Sequence, residues 1–205
     1  MSDVRAAVEA ILAGGLAVIP TDTVYGLACS PADADAVQAL STLKRRPPGQ
    51  PVALVAASVD VLLELLPELT APCTAAVRGV LPGPYTLVLP DPANRFPSLA
   101  GAAVGTVGAR VPALAGPGRQ VLEATGALAA TSANLHGGRD PRRLEDVPSE
   151  ICDVCVTVDG GALPGTPSTV VDLTGPEPRV LREGAVPERD ALQRLAAALA
   201  EEPMP

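Results

Sequence analysis

Residues 14–27 read Gly-Gly-Leu-Ala-Val-Ile-Pro-Thr-Asp-Thr-Val-Tyr-Gly-Leu. The two glycines end an amphipathic helix that the spacing of apolar residues predicts over Asp3–Ala13. The apolar run Leu16–Ile19 predicts a short strand, which Pro20 closes. The polar run Thr21–Thr23 follows at the carboxyl end of that strand, where open α/β sheets bind ligands. Taken alone, the same run fits better a capped turn that begins the next helix.

Helices and strands are predicted to alternate along the rest of the chain. Further helices are predicted over Ala34–Lys44, Val59–Leu66, Ala71–Gly79, Arg119–Thr125 and Glu188–Glu201, with a helical turn at Leu144–Val147. Further strands are predicted over Val52–Ala56, Tyr85–Leu89, Val104–Val111, Ala127–Thr131, Val154–Val158, Thr169–Leu173 and Val180–Arg182. This alternation predicts an α/β fold of three layers, a twisted mixed β-sheet with helices on both sides. Residues 1–205 form one predicted domain, in which residues 202–205 are a frayed tail.

The composition is that of a globular protein, and it argues against two classes of function. Hydrophobic residues make up 47% of the 205 residues, with one Phe, two Tyr and no Trp. The shortage of aromatic rings argues against a single-stranded nucleic-acid platform, and the net charge of −8 provides no overall basic surface. No apolar run approaches the ~18 residues of a membrane span. The polar start Ser2–Arg5 predicts no signal segment, and the sparse cysteines predict a reducing, cytoplasmic environment.

Cys152 and Cys155 have the CxxC spacing that is typical of metal and redox pairs. They lie in a segment that alternates like a strand, so positions i and i+3 should point to opposite faces. We therefore expect two unconnected thiols rather than a shared ligand site. Cys29 and Cys73 are isolated in the sequence and are expected to be small core residues.

Lys44 is the only lysine among 15 basic residues. It lies in residues 43–51, which read Leu-Lys-Arg-Arg-Pro-Pro-Gly-Gln-Pro, at the end of a predicted helix. A compact ammonium in this setting suits phosphate binding, or nucleophilic chemistry when it is desolvated. Chance in an arginine-rich composition is the alternative.

Three further features place polar groups near strand ends. Thr131–Asn134 supplies short donors and acceptors, and two glycines after it let a ligand approach the backbone. Pro167–Asp172 is a second polar segment. Arg110 and Arg182 lie in or at the end of apolar strands, where an arginine needs a partner or a ligand anion. Arg182 has the neighbouring acid Glu183, whereas Arg110 has no acid nearby in the sequence.

In combination and order, these motifs resemble the YrdC/TsaC family, the threonylcarbamoyl-AMP synthases. The matching segments are Pro20–Leu27, Lys44–Pro47, Leu81–Pro84 with Thr86, Arg110–Pro112, Thr131–Asn134, Ser168–Asp172, and Leu181–Arg182 with Gly184. They run from about Val4 to Val186, nearly the whole chain, and the length fits the short, single-domain form of the family.

The resemblance implies an enzyme, a nucleotidyltransferase that joins L-threonine, bicarbonate and ATP into L-threonylcarbamoyladenylate and releases pyrophosphate. In the family, a downstream threonylcarbamoyl-transferase complex of the TsaD type passes the group to adenosine 37 of tRNA, giving N6-threonylcarbamoyladenosine. The resemblance further implies Mg²⁺ bound with ATP and no metal ligands from the protein. Contact with tRNA through that complex is one alternative, and direct binding of tRNA is the other.

The resemblance also implies roles for individual residues. Lys44 and Arg46 are the expected catalytic residues, which stabilise charge as pyrophosphate leaves. The expected ATP-binding residues are Lys44, Arg46, Pro48, Thr106, Ser132, Asn134, Asp140 and Arg182. The expected threonine-binding residues are Thr21, Thr23, Arg110 and Ser168. His136 stands where the family commonly has serine, and we expect a loop residue there rather than a general base.

Two other functions compete with the synthase. One is an RNA-binding module of the same fold without catalysis, which the net charge of −8 disfavours. The other is a related carbamoyl-adenylate enzyme, such as the similar domain of hydrogenase-maturation proteins. Those proteins carry additional zinc-finger and acylphosphatase-like segments, which this sequence does not show.

Overall fold

The computed structural model describes residues 2–200, so the predicted tail at 202–205 and Glu201 of the last predicted helix lie outside it. The helices are α1 (Ser2–Leu12), α2 (Ala34–Leu43), α3 (Val59–Leu65), α4 (Ala71–Val80), α5 (Gly116–Thr125), α6 (Ser149–Cys152) and α7 (Glu188–Ala200). The strands are β1 (Ala17–Pro20), β2 (Tyr25–Cys29), β3 (Ala53–Ala56), β4 (Tyr85–Pro90), β5 (Thr106–Arg110), β6 (Ala127–Ser132), β7 (Val156–Thr157), β8 (Thr169–Asp172) and β9 (Arg179–Arg182). A 3-10 turn covers Leu144–Asp146.

The strands form one mixed sheet in the order β7-β1-β2-β6-β3-β5-β4-β8-β9. The pairs β1–β7, β3–β5 and β4–β8 are parallel, and the other neighbours are antiparallel. Helices lie on both faces, so the predicted three-layer α/β fold is confirmed.

One face of the sheet is covered by α2, α3, α4 and α7. Alternate strand residues such as Val18, Leu54 and Ala129 point to this face, as the period of two in a strand requires. They pack against helix residues such as Leu40 of α2 and Val77 of α4 to form the larger core.

The opposite face is only partly covered, and this decides where a ligand can bind. Ile19, Val55 and Ala130 of the sheet pack against Ile11 of α1 and Val121 of α5. Within residues 2–200, no residue of β4, β5 or β8 belongs to this second core. The face of those three strands therefore stays open to a ligand.

The structure adds one strand that the sequence pattern does not predict. The five residues of β2 are all buried and pair with β1 and β6. Because both faces of β2 are covered, it lacks the alternation of a half-exposed strand, and Gly26 resembles a turn signal. Thr21–Val24 is therefore the turn of the β1–β2 hairpin, and the expectation of a turn that begins a helix is wrong.

The region around the two neighbouring cysteines also differs from its prediction. Cys152 ends α6, whose N-cap is Pro148, and β7 begins only at Val156. The two thiols are therefore not on one strand, because the chain turns between them. Both are half-buried free thiols, and Cys29 and Cys73 are buried free thiols as expected.

Candidate functional site

A cavity of about 310 Å³ lies over the open face of the sheet. Its apolar wall comes from strand residues that alternate, such as Val88 of β4 and Val170 of β8. Its polar lining comes from the two sides of the sheet and consists of Thr21, Thr23, Arg46, Thr86, Arg110, Thr131, Ser132, Asp140, Ser168 and Arg182. Three guanidinium groups in one cavity describe a site for anions.

The β1–β2 turn forms one end of the cavity and is held by the Thr21 hydroxyl. Thr21 Oγ1 donates to Val24 O at 2.6 Å and accepts from the backbone N–H of Val24 at 3.2 Å. Thr21 Oγ1 also lies 3.1 Å from Thr23 Oγ1. These contacts fix the turn, so that the hydroxyls of both threonines face the same cavity.

Arg110, the last residue of β5, forms an ion pair with Asp22 of this turn. Arg110 Nη2 lies 2.5 Å from Asp22 Oδ1, and the exposed fractions of the two side chains are 12% and 8%. Burial lowers the pKa of the Arg110 guanidinium, Asp22 opposes this, and the nearby Arg182 lowers it further. The sequence analysis missed this acid because the two residues are 88 positions apart.

Ser168 and Arg182 lie on the same side of the cavity as Arg110. Ser168 Oγ is 2.8 Å from Thr86 Oγ1, and Ser168 is 3% exposed. Arg182 Nη2 donates to Ser168 O at 2.9 Å. Arg182 therefore does not pair with Glu183 in the described structure but extends the cationic side of the cavity around Arg110.

Arg46 lies on the other side of the cavity, between α2 and β3. Its Nη1 donates to Thr131 Oγ1 at 2.8 Å, and its Nη2 donates to Pro51 O at 2.7 Å. Burial lowers the pKa of the Arg46 guanidinium. Among the described residues, Arg46 Nε and Arg110 Nε have no hydrogen-bond partner. Both guanidinium groups thus retain donor capacity beyond their present contacts.

Lys44 points into the protein and not into the cavity. Its side chain is buried, and its Nζ donates to Asn134 O at 2.7 Å, to Asn134 Oδ1 at 2.8 Å, and to Ser132 O. Burial and, to a smaller extent, the charge of Arg46 lower the pKa of Lys44 to about 8, and Asp140 opposes this shift. An ammonium has three donors, and three protein oxygens accept from this one.

The predicted site residues therefore divide into two groups. Those that line the cavity are Thr21, Thr23, Arg46, Arg110, Ser132, Asp140, Ser168 and Arg182. Those placed elsewhere by the described part of the chain are Lys44, Pro48, Thr106 and Asn134. Thr106 begins β5 and donates to Ala103 O at 2.7 Å, Pro48 is exposed in a loop, and Asn134 is buried behind Ser132. His136 is exposed, and its backbone N–H donates to Lys44 O at 2.9 Å.

The sequence analysis assigned no site role to the residues that form the floor of the cavity. Thr86, Val88 and Gly108 occupy alternate positions on β4 and β5, and each faces the ligand side. A Cβ on Gly108 would lie 3.5 Å from Thr86 Cγ2, so the glycine leaves room above the sheet. The alternation was visible in the sequence, but it does not tell which face of the sheet stays uncovered.

No group of three or more His, Cys, Asp or Glu side chains within residues 2–200 is arranged to hold a metal ion. None of the helices in the described range combines the length and the apolar character needed to cross a membrane.

Comparison with known proteins gives one family. The Sua5/YciO/YrdC family model, described as "Telomere recombination", matches residues 9–184. A protein of Mycobacterium tuberculosis is 38% identical over 185 residues, which cover 88% of this chain and 83% of that protein. "Threonylcarbamoyl-AMP synthase" of Pyrococcus abyssi is 32% identical over 186 residues, which cover 90% of this chain and 54% of that enzyme.

A solved structure agrees with the sequence comparisons. The crystal structure of P. abyssi Sua5 complexed with L-threonine superposes with a TM-score of 0.84 at 32% identity, and covers 93% of this chain. The match spans 56% of the Sua5 chain, so this chain corresponds to about half of that protein.

Proposed function

The chain belongs to the Sua5/YciO/YrdC family, and from this premise we infer that it is a threonylcarbamoyl-AMP synthase, which joins L-threonine, bicarbonate and ATP. The product serves the threonylcarbamoyladenosine modification of tRNA. The relatives support this activity, since the P. abyssi enzyme carries that name and its structure holds L-threonine. Within this chain, the supporting observation is that Arg46, Arg110 and Arg182 share one cavity with several hydroxyl groups.

The proposed chemistry needs no covalent intermediate with the protein. The amino nitrogen of threonine attacks the carbon of bicarbonate, and water leaves to give a carbamate. A carbamate oxygen then attacks the α-phosphorus of ATP, and pyrophosphate departs with the electron pair of the broken P–O bond. Negative charge grows on phosphate oxygens in this step, and preorganised cations stabilise it. The reaction therefore makes the protein a nucleotidyltransferase.

We assign the substrate threonine to the side of the cavity that contains Arg110. A guanidinium binds a carboxylate through two parallel hydrogen bonds, and the Arg110 guanidinium is fixed by Asp22 at 2.5 Å. Ser168, Thr21 and Thr23 supply short hydroxyls on the same side, and these suit the ammonium and hydroxyl groups of a small polar amino acid.

We assign the nucleotide to the side of the cavity that contains Arg46, Ser132 and Asp140. Arg46 is the cation nearest to this side and is proposed to stabilise the leaving pyrophosphate. Arg182, next to Arg110, would lie between the two substrates and contact the α-phosphate. Lys44 and Asn134 do not line the cavity, and we propose that they contribute by holding the loop that carries Ser132. Pro48 and Thr106 lie outside the cavity and are not part of this proposal.

Mg²⁺ suits the proposed site only as a companion of ATP. Asp140 is the carboxylate that faces the nucleotide side, and the other charged groups lining the described cavity there are arginines. One carboxylate with phosphate oxygens and water is the usual Mg²⁺ environment in nucleotide enzymes. The bound ion would supply charge neutralisation of the phosphates.

The product of the proposed reaction needs a partner protein that accepts it in the cell. The threonylcarbamoyl-adenylate is a reactive mixed anhydride, so a transferase of the TsaD type that accepts it directly is the expected partner. tRNA would then be reached through that partner, since the chain has a net charge of −8. We place the protein in the cytoplasm with this machinery.

One assay tests the proposed function directly. The purified protein is incubated with ATP, Mg²⁺, bicarbonate and labelled L-threonine, and both labelled threonylcarbamoyl-AMP and pyrophosphate are measured. We expect pyrophosphate release to depend on threonine and on bicarbonate. Release that continues at the same rate without threonine would refute the proposal. Arg110→Gln should abolish most of the activity, whereas Arg119→Gln, which alters an exposed pair on α5, should not.

A further inference from the structure

We propose that Asp22 is a positioning residue, which holds the Arg110 guanidinium in the orientation that accepts the carboxylate of the amino-acid substrate. This inference rests on the proposed function, because it assigns a role within the threonine side of that site. The carboxylate of Asp22 would act through Arg110 and would not itself contact the substrate.

Hydrogen bonds hold the Asp22 carboxylate in a fixed position next to Arg110. Its Oδ1 accepts from Arg110 Nη2 at 2.5 Å, and its Oδ2 accepts from the backbone N–H of Ala113 at 3.2 Å. The Thr21 hydroxyl holds the turn that carries Asp22, as described above. The Ala113 N–H therefore fixes one oxygen of the carboxylate, and the other oxygen fixes one amino group of Arg110.

This arrangement leaves the rest of the Arg110 guanidinium available to a ligand. Asp22 takes Nη2, which also lies 3.4 Å from Thr23 Oγ1, and the buried Nε has no hydrogen-bond partner among the described residues. A guanidinium offers five N–H donors in a rigid plane, so holding one end of the plane sets the direction of the others. A carboxylate that forms two parallel bonds depends on that direction.

Charge explains why a free arginine would not keep this orientation. Arg182 is close enough to Arg110 to lower its pKa by repulsion, and Asp22 opposes that effect. Without the carboxylate, two like charges would face each other across a half-buried site, and the flexible side chains would separate. Asp22 thus allows both arginines to point into one cavity.

Two other roles for Asp22 predict different results. If Asp22 merely weakened the positive potential of the site, its removal would strengthen binding of a carboxylate, and the KM for threonine would fall. If Asp22 served only the stability of the hairpin, its removal would lower the unfolding temperature and leave both KM values of the surviving folded enzyme unchanged.

The test compares Asp22→Asn with the wild type in the threonine-dependent pyrophosphate assay. Asparagine keeps the shape and an acceptor for Ala113, but it loses the charge that attracts Arg110. We expect the KM for L-threonine to rise about tenfold or more, since an oriented charge-assisted pair is lost, while the KM for ATP stays within about twofold. A KM for threonine that is unchanged or lower, or equal increases in both KM values, would overturn the inference.

Controls separate this result from a general loss of structure. Glu123→Gln breaks the exposed Arg119–Glu123 ion pair, in which Arg119 Nε lies 2.6 Å from Glu123 Oε1. This substitution should change neither the KM for threonine nor the KM for ATP. In an Arg110→Gln background, Asp22→Asn should add little to the loss of threonine binding measured by calorimetry. If the effects of the two substitutions on threonine binding were fully additive, Asp22 would not act through Arg110.

If the wild type neither binds threonine nor releases pyrophosphate, the proposed function itself has failed. If the wild type is active and Asp22→Asn has the same KM for threonine, only the proposed role of Asp22 is refuted.

Discussion

The Lys44 ammonium lies 2.8 Å from the side-chain Oδ1 of Asn134 and 2.7 Å from the backbone oxygen of the same residue. Ser132 O accepts a third bond from Lys44, and the backbone oxygen of Lys44 accepts from His136 N–H at 2.9 Å. Ser132 Oγ in turn donates to Asn134 Oδ1 at 2.7 Å. Lys44 therefore connects both ends of the loop that carries Ser132 into the cavity, and its charge supports the shape of the site.

The first prediction compares Lys44→Ala with Arg45→Ala. Removing Lys44 takes a donor from three oxygens, of which Asn134 Oδ1 keeps the Ser132 hydroxyl. Each buried group that is left unsatisfied costs about 1–3 kcal/mol. Arg45 is exposed and pairs with Glu150 at 2.7 Å, an interaction worth about 0–1 kcal/mol. We expect Lys44→Ala to lower both turnover and the free energy of unfolding far more than Arg45→Ala, as measured by pyrophosphate release and urea unfolding. Equal effects of the two substitutions would contradict the central position of Lys44.

The second prediction is the titration of Lys44, which can be followed without interference because it is the only lysine. Lysine labelled with ¹³C at Cε gives one side-chain resonance from this residue. We expect its chemical shift to titrate with a midpoint of about 8, well below the ordinary 10.5, because the ammonium is buried. A midpoint above about 10, the range of an exposed lysine, would contradict this burial.

Substitutions of the two neighbouring charges should move this midpoint in opposite directions. Arg46 lowers the pKa of Lys44 and Asp140 raises it, so Arg46→Gln should increase the midpoint and Asp140→Asn should decrease it. The folded-state pKa is lower than that of the unfolded chain, so between about pH 8 and 10.5 the unfolded chain holds more protons. The contribution of Lys44 to stability should therefore increase as the pH rises through that window.

The fold could be predicted from the sequence more completely than the site could. The apolar run at Leu16–Ile19 and the alternation of helices with strands are local signals, and they gave the correct layers. The strand β2 was missed because its burial on both faces removes the alternation that identifies a strand. The pair Asp22–Arg110 could not be found, since only the order of strands in the sheet brings residues 88 positions apart together.

The direction in which a side chain points was the second property of the site that the sequence could not predict. Lys44 and Arg46 are two residues apart and carry the same charge, yet only Arg46 lines the cavity. Lys44 follows the last turn of α2, where its backbone N–H still bonds to Leu40 O, and its side chain runs under the loop at 132–138. Composition and spacing predict a basic cluster there, but not which of its members faces a ligand.

The third prediction concerns Arg46→Lys, which keeps the charge and removes the planar fork. Arg46 holds Thr131 Oγ1 and Pro51 O through two different nitrogens, and a lysine ammonium cannot span both while facing a phosphate. We expect the KM for ATP to rise about tenfold or more, with the KM for threonine changed less than about threefold. Arg142→Lys is the control, because Arg142 is exposed and lies outside the cavity. If Arg46→Lys changed both KM values equally, the assignment of Arg46 to the nucleotide side of the cavity would be wrong.

The fourth prediction uses the floor of the cavity. Gly108 is in the middle of β5, where its backbone is ordinary for a strand, and a Cβ there would meet only Thr86 Cγ2, at 3.5 Å. Gly108→Val should therefore fold, since valine favours strands, and its two methyl groups would fill space above the sheet. We expect the affinity for L-threonine, measured by calorimetry, to fall by about tenfold or more, while the free energy of unfolding changes by no more than about 1 kcal/mol. Gly175→Val, in an open turn where the nearest atom is Glu177 O at 3.9 Å, should leave threonine binding unchanged. Threonine binding of wild-type strength in the folded Gly108→Val protein would show that the substrate does not rest on this part of the sheet.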